Sequence, residues 1–147
     1  NIQIFRRMHK PIYYRFSKMD LRQFATFEEN YGDACDIEIA CEFTFSYNFE
    51  HNIVCCTNSV VFSTAEKTLL KAELDAFFSM NPASVDDLSE NECIVITNDL
   101  QAQFASLTYG SMRGIIFAKT IGTPLNHIIL PPNDVLSAIQ SPIRFTP

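Results

Sequence analysis

Three histidines (His9, His51, His127) and five cysteines (Cys35, Cys41, Cys55, Cys56, Cys93) are the side chains best suited to metal or nucleophilic chemistry in this 147-residue chain. The tightest grouping is His51 with Cys55 and Cys56. Tetrahedral zinc takes four convergent ligands, or three and a water. Adjacent residues of a strand point to opposite faces, so an extended 53–64 segment prevents Cys55 and Cys56 from converging with His51. No metal site is expected. There is no Gly-rich phosphate loop and no Gly-x-Ser-x-Gly nucleophile elbow. On these grounds the chain is read as a non-enzyme that needs no cofactor.

An odd cysteine count, without a regular framework or an apolar leader in residues 1–16, predicts reduced thiols and a cytoplasmic protein. The mass of 16.7 kDa suits one domain spanning 1–147. A hydrophobic fraction of 47% against 19% charged residues excludes a wholly disordered chain. The apolar runs are far shorter than the ~20 residues of a membrane-spanning helix, so no membrane insertion is expected. Net charge is −6 and unevenly placed: residues 1–22 hold six bases and one acid, whereas 23–66 hold eight acids and no base. That acidic block repels phosphate and argues against a nucleic-acid partner.

The elements that must position any site fall in a clear order. Residues 36–47 alternate strictly, with Ile37, Ile39, Cys41, Phe43, Phe45 and Tyr47 on one face and acids and hydroxyls on the other. Residues 53–64 and 68–80 are two further strands, and an earlier one lies within 12–28. The 81–92 stretch is polar and turn-like, with room for one helical turn. The period then changes: Thr97 or Asn98 caps a helix that runs to about Lys119, where Gly122-Thr123-Pro124 stops it. A shorter helix follows from Asn133 to before Pro142. The expectation is an α+β fold: a four-stranded antiparallel sheet (about 12–80), a long helix (about 97–120) and a short C-terminal helix (about 133–140).

The long helix is apolar along two rows. One contains Leu100, Phe104, Leu107, Ile115 and Ala118; the other contains Ala105, Tyr109, Met112 and Ile116. A helix covering one sheet needs one row. The second row is therefore assigned to an oligomer interface, with packing on the chain's own C-terminal segment as the alternative. Gly110-x-x-x-Gly114 would permit close approach of another helix.

The C-terminal third carries a family resemblance. Tyr109-Gly110-Ser111-Met112-Arg113-Gly114-Ile115-Ile116, then Gly122-Thr123-Pro124-Leu125-Asn126, then Ile129-Leu130-Pro131-Pro132-Asn133-Asp134-Val135 resemble the SecB family of protein-export chaperones, in particular its divergent SecB-like branch. Upstream, Thr26-Phe27-Glu28 resembles the end of the family's first strand and Phe78-Ser79-Met80 the end of its fourth. The resemblance spans residues 15–140. It implies an ATP-independent holdase, a homotetramer or at least a dimer, that keeps unfolded precursor proteins in an apolar groove for export. Some SecB-like relatives instead guard an antitoxin. The resemblance also implies a contact with the SecA motor, for which Glu28 and Glu73 are the matching acidic positions; the preceding acidic position of the family is Phe24 here.

The candidate client groove is the Ile37, Ile39, Phe43, Phe45 face with Val135 and Leu136 of the second helix. The same strand residues would serve as sheet core beneath the long helix. Two other functions remain as alternatives. One is a small-ligand carrier with a Phe-rich interior. The other is a hot-dog-type thioesterase using Asp99, although that fold places its central helix before most of its sheet.

Overall fold

The computed structural model describes the chain except residues 1, 8, 9, 33–35, 66, 133, 134, 136–138 and 140; for 3, 5–7 and 10 it describes the backbone alone. The protein is α+β. The alternating segments form β2 (Lys10–Thr26), β3 (Glu38–Asn48), β4 (Ile53–Thr64) and β5 (Lys67–Met80). These are the four expected strands, in one antiparallel sheet. A fifth, β1 (Ile2–Arg7), pairs along β2 and gives the order β1-β2-β5-β4-β3. Strands β3, β4 and β5 form a meander, and β2 lies beside β5 through a long connection, a Greek-key arrangement.

The chain then makes a short helix, α1 (Pro82–Leu88), whose N-cap Asn81 accepts a hydrogen bond from the Ala83 amide at 3.0 Å. Ser84 of α1 accepts the Tyr13 N–H at 2.8 Å, which ties the helix to β2. A small second sheet comprises β6 (Ser89–Glu90), β7 (Cys93–Ile96) and β8 (Ile143–Phe145) in the order β6-β7-β8. The long helix α2 (Asn98–Lys119) is capped by Thr97, and Gly122 follows its end at φ 84°, a left-handed geometry that suits glycine. Of the expected helix over 133–140, Val135 is helical and buried; residues 133, 134, 136–138 and 140, Leu136 among them, lie outside the described residues.

Helix α2 covers one face of the large sheet, and the core forms two clusters beneath it. The first joins Ile12, Tyr14, Val54, Cys56, Ala76 and Phe78 to Leu100 and Phe104. The second joins Val60, Phe62, Leu70 and Leu74 to Tyr109, Met112, Ile116, Leu125 and Leu130. Asn58 is fully buried on β4, paired in register with Phe43. Its Nδ2 donates to the Glu42 carbonyl at 3.1 Å and to Cys41 Sγ at 3.2 Å, while its Oδ1 has no partner among the described residues.

This packing corrects the assignment of the second apolar row. Ala105, Tyr109, Met112 and Ile116 are buried inside the chain itself and offer no free surface to another subunit. Leu100 and Phe104 at one end of α2, and Tyr109, Met112 and Ile116 at the other, lie roughly 130° apart around the helix axis. Both sets are buried because strands twist under a straight helix, so the line of contact winds around it. The C-terminal segment then clasps the second set. The Tyr109 hydroxyl donates to the Pro131 carbonyl, and Arg113 Nε donates to the Leu130 carbonyl at 2.8 Å. A charge at Met112 or Ile116 would therefore break the fold before it broke an assembly.

Candidate functional site

Because β3 pairs only with β4 among the described strands, its helix-side residues are half-buried where those of β4 are buried. This leaves a gap between β3 and the chain's C-terminal part. The gap is an open groove of about 640 Å³ lined by Cys41, Phe43, Phe45, Gln101, Ile139 and Ile143, with Glu42, Thr44 and Ser141 at its margin. Its floor is apolar, and its one ionisable carboxylate belongs to the exposed Glu42. Gln101 is buried and holds the far wall: Nε2 donates to the carbonyls of Ile96 and Ser141, each at 3.0 Å. Phe43 sits between the two core clusters, its ring 6.2 Å from that of Tyr109.

The groove unites two of the six expected client-binding residues, Phe43 and Phe45. Ile37 is half-buried against the second core cluster, and Ile39 is 36% exposed on β3 beyond the groove lining. Val135 is buried outside the lining, and Leu136 lies outside the described residues. Sequence reasoning missed Gln101, Ile139 and Ile143. The available signal was the apolar–polar–apolar triplet Ile143-Arg144-Phe145, which is too short for a periodicity argument.

The opposite sheet face is open and mixed in charge. A bulge between Leu21 and Gln23 turns Arg22 across the sheet, 3.5 Å from Glu73 and 3.6 Å from Asp75. Asp75 also accepts from the Thr57 hydroxyl at 2.5 Å. Glu73 is thus paired rather than presented alone. Glu28 lies in a single 3-10 turn beyond the end of the β2 ladder, and about 10 Å of strand separates Gln23, opposite Glu73, from Thr26. The two candidate motor-contact residues therefore do not form a pair.

Cys55 and Cys56 are placed for inertness. Cys55 is half-buried on the open face, and Cys56 is buried under α2, so the two side chains diverge. Burial pushes the Cys56 thiol up to about 12, and burial with the Asp75 charge raises Cys55. No group of three His, Cys, Asp or Glu side chains able to hold a metal ion occurs among the described residues. Among those residues, too, no helix is long and apolar enough to cross a membrane.

One helix surface remains uncovered by the described residues. Ser106, Gly110, Gly114 and Phe117 point outward from α2, and a Cβ added at either glycine would meet nothing within 4 Å. Beside them Phe117, Ile121 and Ile129 are 51%, 64% and 57% exposed.

The chain matches no protein-family model and no curated protein.

Proposed function

We propose that this protein is an ATP-independent holdase of the SecB-like kind, binding unfolded polypeptides along the groove beside β3. The single observation that carries the reading is that groove: about 640 Å³, open to the surface among the described residues, and floored by Phe43, Phe45, Ile139 and Ile143. An unfolded chain exposes scattered apolar side chains, and apolar burial is non-directional, so such a floor accepts many sequences. The open shape favours a polypeptide over an enclosed small ligand. Under this reading the protein works in the cytoplasm on precursors awaiting export, hands them to the SecA motor, and takes neither nucleotide nor cofactor. The Greek-key order of β2 to β5 with α2 laid across them supports the resemblance carried by residues 109–135.

The test is suppression of aggregation of several unrelated denatured clients without nucleotide. Burying one Phe side chain stabilises by about 1.5–3 kcal/mol, so Phe45→Asp should weaken holding roughly tenfold or more. Ser46→Asp, one residue along on the opposite face, should leave it unchanged. No suppression by the unmutated protein at several-fold excess sinks the general reading. Protection confined to one dedicated client marks the antitoxin-guard version.

We further propose that copies associate through the outward face of α2 rather than through the buried row. Each mid-helix glycine costs about 1 kcal/mol relative to alanine, and neither is needed to avoid a clash among the described residues. Close approach of a second α2, with Phe117, Ile121 and Ile129 covered, accounts for both. Phe117→Asp should shift a tetramer or dimer to smaller species in light scattering, with the circular-dichroism spectrum preserved. A monomeric parent protein at micromolar concentration rules this out.

A further inference from the structure

The small sheet shows how an added strand is received. Its centre, β7, contributes the buried Ile94, Val95 and Ile96, and its outer edge is paired by β8 with Ile94 opposite Phe145, Val95 opposite Arg144 and Ile96 opposite Ile143. β8 reaches that edge from far along the chain, since Arg144 and its partner Glu90 are 54 residues apart. The Phe145 ring stacks on Tyr47 at 5.8 Å and 27°, and Tyr47 meets Phe49 edge-on at 4.8 Å. β8 therefore bridges β7 and the end of β3, and its Ile143 is part of the client groove.

β8 is short and only partly covered, held by Phe145 against the first core cluster and by the bond from Gln101 to Ser141. It has three residues, against a usual strand length of about five or six. Ile143 and Phe145 stay half-buried, and the Arg144–Glu90 pair at 3.3 Å is largely exposed, with side chains 48% and 57% accessible; an exposed pair adds little. What β8 presents is an apolar side chain, an arginine held by Glu90 and Cys93 at the surface, and an aromatic one. Backbone pairing with alternate side chains in pockets is the general mode of strand addition, and that triplet is common in unfolded chains.

We propose that the β7 edge and the Tyr47 ring form a strand-accepting site, filled in the free protein by the chain's own β8 and taken over by an extended client segment of the pattern apolar–any–aromatic. The proposal rests on the holdase reading of the adjoining groove, because a segment lying along Phe43 and Phe45 runs next into Ile143. β8 then acts as a built-in competitor. A site open for only a fraction of the time binds more weakly by that fraction.

The full chain can report this directly. It contains no Trp, so Phe145→Trp supplies a single indole at the stacked position. Two ligands are titrated: the free peptide Ser-Pro-Ile-Arg-Phe-Thr-Pro and a denatured client. Each should move the emission to longer wavelength as β8 leaves Tyr47, and Phe145→Ala should bind both about tenfold more tightly than the parent. The proposal is overturned if both ligands leave the emission unchanged, or if parent and Phe145→Ala bind them equally. Should Phe145→Ala not fold, the Phe145→Trp titration decides alone. If no variant holds a client but the peptide still shifts the emission, the holdase reading falls and the strand-accepting site stands.

Discussion

Titrated from pH 9 to pH 12, the folded protein should lose stability steadily as the pH climbs toward the range in which its buried Cys56 and Tyr47 ionise in place. Burial holds the Cys56 thiol at about 12 against an ordinary 9.0, and the Tyr47 phenol at about 12 against 10.0. Burial also raises Tyr14, Cys55 and Tyr109. The sign follows from proton counting. Between the unfolded and folded values the native state keeps protons that the unfolded chain has released, so stability is complete below pH 9 and falls as the pH rises. Cys56, fully buried, contributes on the order of 4 kcal/mol across its window at about 1.36 kcal/mol per unit, a large share of a typical 5–15 kcal/mol total. Urea unfolding midpoints at pH 8, 9, 10 and 11 measure the fall, and Cys56→Ala should flatten its first part. A midpoint constant to pH 11 contradicts the burial assigned to both groups. Native Cys56 should likewise resist alkylation at pH 8 until the protein is unfolded.

Phe104→Ala should be among the most damaging single substitutions. Its side chain is fully buried, stacked on Phe78 at 4.4 Å and 27° and set edge-on to Tyr14 at 5.0 Å and 80°. Truncating a buried Phe costs about 3–5 kcal/mol through lost transfer energy and the cavity left behind. At roughly 2–4 °C per kcal/mol for a chain near this size, the melting temperature should drop by about 6–20 °C. Ile39→Ala, at an exposed position on the edge strand, should change it by no more than a degree or two. Equal effects at the two sites would mean that the aromatic cluster is not the centre of the core.

What could be read from the sequence followed from clean periods. The alternation of 36–47 and 68–80 and the β-branched run of 53–64 place three strands to within two residues, because a half-buried strand must alternate and β-branched residues favour strands. Thr97 as the α2 cap and Gly122 beyond its end were legible from side-chain chemistry alone. β1 was hidden by its basic composition: Ile2 and Ile4 are 64% and 48% exposed, so they leave no burial pattern to find. β7 and β8 were hidden by length, four and three residues, below what any period can reveal. The second row of α2 was misassigned for a different reason. A helical wheel treats the covering surface as flat, whereas a twisted sheet and the 128–131 segment cover different sides of the same helix in succession. The groove was half legible, through Phe43 and Phe45. Its other wall comes from a distant segment whose position only the fold determines.

The return of β2 beside β5 has a consequence during synthesis. Ser17 and Ser79, bonded across that pair, are 62 residues apart. Loops of that size close slowly compared with hairpins, so β3, β4 and β5 can zip together while β2 waits. Until β5 leaves the ribosome, Tyr14 and Phe16 lack their partners Met80 and Phe78, and β2 has only β1 beside it. For that interval the apolar side chains of the protein's own first long strand stand exposed on an extended segment, which is the state that the proposed holdase activity would recognise in other chains.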